Sequence, residues 1–255
     1  MNEFTKVFIC FAAEDRYNIA EPIVYHLKNY GVDVWYDREK MVLGDNRKEK
    51  NLIDGAEKCQ YAILIISDNT VNSPCAMEEI SIIKERYIKQ QLVVFTILYE
   101  LSPDNLPLNL QWVKELIFKE TNNSSGTREI CNHIVCKITC DTLNSYKNKK
   151  ISDILNDMSL NIPLHIYRIL QTYLHTDNGN LNARISLLYA TYINIVSGQF
   201  SNKSNTFMIS KIFERLMSET RLNLNIDYRE LWLLENSICI LINEFYSQTN
   251  SRYVE

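Results

Sequence analysis

Two adjacent carboxylates, Glu78 and Glu79, lie in the run Ser73-Pro74-Cys75-Ala76-Met77-Glu78-Glu79-Ile80. That run follows the apolar segment Tyr61-Ala62-Ile63-Leu64-Ile65-Ile66 and Ser67. The apolar segment reads as a buried strand, 67–72 as a loop, and Ser73 as the start of a helix. Serine is a good N-cap, and Pro74 suits the first helical position, where a missing N–H costs nothing. The acids therefore sit on a helix rising from the carboxyl edge of a strand, the edge at which open α/β sheets bind ligands. Helical phase separates them. Ala76, Ile80, Ile83 and Tyr87 share one face; Glu79 falls roughly 60° from its middle and Glu78 roughly 160° away. Placement near the positive end of the helix dipole accounts for Glu78 as a solvated acid. Glu79 belongs at the border of core and cleft, where a half-buried carboxylate can stabilise developing positive charge. It is the candidate catalytic residue.

Other chemistry is sparse. Of the seven cysteines, Cys131, Cys136 and Cys140 cluster near His133, but no Cys-x-x-Cys occurs and the spacing matches no zinc pattern. Reduced, mostly buried thiols and no bound metal are expected. Cys75, near a helix N-terminus, favours thiolate, yet no His neighbours it in sequence to make a nucleophile–base pair.

The elements that must position Glu79 follow from the chain order. With 255 residues and 46% hydrophobic content, one large or two modest domains are possible. A net charge of −4 offers no basic field for nucleic acid. No run of about 18 apolar residues occurs, so no membrane span is expected. The first residues run straight into a strand-like segment, so a secretory signal is not expected and the cytoplasm is the expected location. Strands are expected at 6–11, 32–36, 61–66, 92–98 and 115–118, with helices at 18–30, 47–58, 73–89 and 127–143. Gly31 is a typical helix stop, and 37–46 reads as a charged loop. The alternation of strands and helices over 1–143 predicts a flavodoxin-like α/β domain: a five-stranded parallel sheet with helices on both faces. Residues 144–150 read as a polar linker. Beyond it, 151–255 shows helical periodicity only, with helices at 151–158, 163–175, 181–197, 206–220 and 227–248 and a polar separator at 201–205. A smaller all-α domain is expected, with Leu187, Leu188, Ile193, Val196, Phe207, Ile212, Phe213, Leu216, Trp232, Leu233, Ile238, Leu241, Ile242 and Phe245 as its core.

Three stretches in order carry a family resemblance. Val7-Phe8-Ile9-Cys10-Phe11, a small polar turn and Asp15 form the first. Val34-Trp35-Tyr36-Asp37 with a charged loop reaching Gly44-Asp45 forms the second. Ile65-Ile66-Ser67 and the 73–80 run form the third. Together they resemble the Toll/interleukin-1 receptor (TIR) domain, in its bacterial NAD-cleaving form. The resemblance places Glu79, not Glu78, on the family's catalytic glutamate, as phase does. Cys75 stands where the family often has Trp, and Ala76 where it often has Cys, so an aromatic wall is either missing or supplied by Trp35 or Tyr36.

The resemblance implies an NAD+ glycohydrolase that cleaves the nicotinamide–ribose bond, with NAD+ as substrate and no cofactor. Substrate contacts are then expected from Ala12, Ala13, Trp35, Asp37, Gly44 and Cys75, although Trp35 can equally serve the core. It also implies self-association through the loop after the second strand, activation by assembly, and a role in anti-phage defence through NAD depletion. The helical domain is the natural sensor of a signal or partner the sequence does not name. Two alternatives stand beside this reading: a non-enzymatic TIR adaptor, and a synthase of a cyclic ADP-ribose-type signal.

Overall fold

The computed structural model describes residues 6–197, 204–221 and 226–247. The N-terminal residues 1–5, residues 201–203 of the polar separator, and the end of the last expected helix at residue 248 lie outside the described residues. The chain divides into two compact units, one reaching Cys131 and the other starting at Asn132.

The first unit is built on one sheet. Its strands are β1 (Lys6–Cys10), β2 (Asp33–Trp35), β3 (Tyr61–Ile66), β4 (Val93–Tyr99) and β5 (Phe118–Thr121), ordered β2-β1-β3-β4-β5. All pairs are parallel, as Val7↔Val34, Ile9↔Ile63, Ile63↔Phe95 and Leu98↔Glu120 register. Every residue of β3 is buried, as a central strand covered on both faces requires. Alternation sends Phe8, Cys10, Ala62, Leu64, Ile66, Val94 and Leu98 to one face, where Ala76, Ile80 and Ile83 join the same core cluster.

Helix α1 (Glu21–Asn29) follows a π-wound turn over Arg16–Ala20, and Gly31 ends it at φ +75°, a conformation only glycine adopts freely. Where a plain loop is expected after β2, a one-turn helix α2 (Asp37–Lys40) forms. The next helix is π-wound over Lys48–Ala56. Ser67 caps a short helix α3 (Asp68–Asn72), and Ser73 caps α4 (Pro74–Ile88) by accepting from Ala76 N.

The fifth strand differs from expectation. It runs Phe118–Thr121 rather than 115–118, and Leu108–Glu115 winds as a 3-10 helix with Leu110 and Val113 inward. Three-residue spacing suits that tighter helix. A polar strand is tolerated at the sheet edge, where burial no longer demands an apolar run.

The helix α5 (Arg128–Asn144) crosses the division between units. The second unit continues with α6 (Ile151–Asn156), α7 (Leu164–His175), α8 (Leu181–Val196), α9 (Ser204–Arg221) and α10 (Tyr228–Tyr246). A capping box between Asp227 and Glu230 starts α10. Leu188, Ile212, Phe213, Leu216, Leu233, Ile238, Leu241 and Ile242 are buried as expected. Ile193, Phe207 and Trp232 are exposed instead. Phase explains it: Phe207 shares a stripe with exposed Glu214 and Ser218, and Trp232 with Tyr228. The segment 144–150 is fastened within this unit. Tyr146 donates to Glu244 Oε1 at 2.9 Å, and the Asn148 carbonyl accepts from Asn243 Nδ2 at 2.9 Å. No helix among the described residues is long and apolar enough to cross a membrane.

Candidate active site

Helix α4 starts beyond the carboxyl end of β3, and β1, which ends at Cys10, is followed by Phe11, Ala12 and Ala13. Between them and the helix that follows β2 lies a cavity of about 450 Å³. Its wall includes Phe11, Ala13, Arg16, Asp37, Arg47, Asn51, Asn69, Cys75 and Glu79.

Glu79 is only 6% exposed, deeper than the half-burial phase suggested. Asn51 Nδ2 donates to its Oε1 at 2.6 Å, and Arg47 Nη2 donates to the same oxygen at 3.3 Å. Among the described residues no N–H or O–H donor is seated on Oε2. Burial raises the Glu79 carboxyl from its ordinary value near 4.5 to about 7, against the downward pull of Cys10, Arg47 and Asn51. Cys10 is buried beneath it, its thiol donating to the Ala76 carbonyl at 3.6 Å. Burial, and then the Glu79 charge, hold that thiol well above the usual range.

Glu78 is solvated, with its side chain 38% exposed, as phase required. It is not idle. Arg47 Nη1 donates to its Oε2 at 3.2 Å, Lys48 lies 3.5 Å away, and the Arg47 bond holds its carboxyl below the usual range. Arg47 also donates to the Cys75 carbonyl at 3.1 Å. One guanidinium thus ties the two acids to the start of α4.

The residues expected to contact substrate divide. Ala13, Asp37 and Cys75 line the cavity with Glu79. Asp37 is held by a bidentate pair with Arg16, 3.0 Å at each oxygen, and that pair raises the Arg16 pKa. Ala12 is buried, and its carbonyl accepts from Asp15 N. Trp35 stands behind the wall, its indole Nε1 donating to Asn51 Oδ1 at 3.2 Å. Gly44 sits at φ +100° in the loop after α2 and is not part of the wall. Tyr36 is buried. The aromatic lining residue is Phe11, with Arg16 packed over its ring at 5.2 Å. Among the described residues no group of three His, Cys, Asp or Glu can hold a metal.

Sequence reasoning missed Arg47 and Asn51. Their four-residue spacing puts both on one side of the helix after β2, a signal the sequence carries. Nothing in it says that Glu79 stands opposite.

A five-stranded parallel sheet with helices on both faces and a buried carboxylate, Glu79, on the wall of a cavity at its carboxyl edge defines an α/β domain with a candidate site. Residues 7–130 match the family model for the TIR domain, and this part of the chain is a TIR domain. It is 32% identical over 81 residues to the NAD(+) hydrolase TcpC of Escherichia coli O6:H1, covering 32% of this chain and 26% of the relative. It is 30% identical over 100 residues to the 2′ cyclic ADP-D-ribose synthase BtTIR of Bacteroides thetaiotaomicron, covering 39% of this chain and 34% of the relative. The chain therefore spans about a quarter to a third of the length of these curated relatives. Among solved structures, it is similar to the TIR domain of the Toll-related receptor TRR-2 from Hydra magnipapillata, at 17% identity and TM-score 0.41, over 52% of this chain and 95% of that one.

Proposed function

We propose that this protein cleaves the bond between ribose C1′ and the nicotinamide nitrogen of NAD+, with Glu79 as the catalytic residue. The observation that carries the reading is one buried carboxylate, held from one side by Asn51 and Arg47, at the wall of a cavity on the sheet's carboxyl edge. The reaction suits a single carboxylate. Nicotinamide is bound as a cation and leaves neutral with the bonding pair, so no general acid is needed, unlike ordinary glycosidases with two carboxyls. The ribose gains oxocarbenium character, which a desolvated Glu79 carboxylate stabilises. Water then attacks C1′ and loses its proton, giving ADP-ribose. Ala13, Asp37 and Cys75 are proposed substrate contacts from the cavity wall, with Phe11 as an aromatic face; Ala12 and Trp35 act from behind it.

A second product is favoured by the relatives' names, which divide between NAD(+) hydrolase and cyclic ADP-D-ribose synthase. In that case a ribose hydroxyl replaces water at C1′. The proposed setting is anti-phage defence, with the TIR domain activated by self-association and the helical unit responding to a signal. Incubation with NAD+ and chromatography of the products tests all of this. Nicotinamide with ADP-ribose supports the hydrolase, nicotinamide with a cyclised product supports the synthase, and no nicotinamide from an assembled sample overturns cleavage in favour of an adaptor.

A further inference from the structure

Asn51 is 7% exposed and does two things at once. Its Oδ1 accepts from the Trp35 indole at 3.2 Å, and its Nδ2 donates to Glu79 Oε1 at 2.6 Å. The amide has only one sensible orientation. An indole N–H can only donate and a carboxylate can only accept, so a flipped amide would set donor against donor and acceptor against acceptor. Few side chains of this length can accept from an indole and donate to a carboxylate together. Gly55, one turn further along the same helix, makes room for the indole, since a Cβ there would lie 2.7 Å from Trp35 Nε1.

We infer that Asn51 is a positioning residue, backed by Trp35, that pins Glu79 Oε1 so that Oε2 faces the cavity. This rests on the proposed role of Glu79. Arg47 differs in kind. It is a third exposed, sits at 3.3 Å, and divides its donors among Glu79, Glu78 and the Cys75 carbonyl. Such a partner can release Glu79 when a cationic ligand group arrives, whereas Asn51 is locked on both sides. The groups that act on Glu79 are Cys10 from β1, Arg47 and Asn51 at the helix over Lys48–Ala56, and, through Asn51, Trp35 from β2; Arg47 is shared with Glu78 and the Cys75 carbonyl.

The test reads Glu79 itself. Protein carrying [13C]carboxyl-labelled glutamate is titrated by NMR, with the Glu79 resonance identified by its loss in Glu79→Gln. Losing one charge-assisted bond in Asn51→Leu raises the Glu79 midpoint by about one pH unit. Trp35→Phe, which keeps a ring but frees the amide, raises it by less. The ascending limb of kcat/KM for NAD+ moves with the midpoint, and kcat falls roughly tenfold while KM changes less than about threefold. A Glu79 midpoint unmoved in folded Asn51→Leu overturns the inference. If that variant does not fold, an unmoved midpoint in Trp35→Phe overturns it. Assembled wild-type protein without NAD+ turnover refutes the cleavage reading, while the titration still decides the role of Asn51.

Discussion

Glu79 and Glu78 are neighbours in sequence with opposite surroundings, and Glu→Gln at each separates charge from size. Glu79→Gln removes the charge proposed to face the ribose, and a loss of about 10²–10³ in NAD+ cleavage is expected, as for other electrostatic stabilisers. Glu78→Gln leaves Arg47 bound to Glu79 and should change the rate by less than about threefold. Equal rates for Glu79→Gln and wild type would remove Glu79 from the mechanism. The raised carboxyl also sets a pH dependence. On the proposed mechanism only ionised Glu79 stabilises the oxocarbenium ion, so the rate should climb through about pH 7. Stability runs the other way. The folded protein keeps the proton to about pH 7 and the unfolded chain only to near 4.5, so stability is lost as pH rises across that window. Glu79→Gln should therefore melt higher than wild type at pH 8, by a difference on the order of 3 kcal/mol, and not at pH 4. A variant less stable at pH 8 would contradict the desolvation account. Glu79 was legible because the Ser73 cap fixes where the helix starts, and the start fixes the phase. Asn51 was not, because a buried asparagine and a solvated one look alike until the facing element is known.

Among the elements, the helix over Lys48–Ala56 carries more than its sequence suggests. It brings Arg47 and Asn51 to the carboxylate and packs Gly55 against Trp35 and Phe8. A methyl at 55 would lie 2.7–2.9 Å from three ring atoms of Trp35 and Phe8. Rings in a packed core cannot yield that distance freely, and overpacking of this kind costs about 1–3 kcal/mol. Gly55→Ala should thus lower the melting temperature and, by shifting Trp35 away from Asn51, reduce NAD+ cleavage about tenfold or more. Unchanged stability and rate would show that the indole is free to move. The pattern of expected and observed elements follows the same physics. The central strands announced themselves because burial on both sides demands unbroken apolar runs, and α4 did so through its Ser73-Pro74 start. The edge strand β5 did not, since Phe118-Lys119-Glu120-Thr121 has little burial to advertise. The short helices α2 and α3 were hidden in polar stretches without apolar periodicity; α3 is set by its Ser67 cap, and α2 has no side-chain cap.

At the scale of the molecule, one surface feature bears on assembly. Val42 and Leu43, just after α2, are among the most exposed apolar side chains of the first unit. They are displayed by a closed turn. Val42 N donates to Asp45 Oδ2 at 2.9 Å, Asp45 N donates to the Val42 carbonyl at 3.1 Å, and Gly44 supplies φ +100°. That geometry suits the glycine position of a type II turn and sets the tip residues outward. An aliphatic side chain held in water gains about 1.5–3 kcal/mol when a second copy covers it. The loop is thus proposed as the contact through which TIR domains associate and cleavage begins. Leu43→Asp leaves every hydrogen bond of the turn in place and should change monomer stability by less than about 0.5 kcal/mol, as at other exposed positions. Sedimentation should show weaker self-association, and specific activity, expected on this proposal to rise with protein concentration in wild type, should fall in step. Gly44→Ala, strained at this φ, should do the same by distorting the turn. Full activity of Leu43→Asp in a sample monomeric at every concentration would separate cleavage from assembly, and the loop would lose its proposed role.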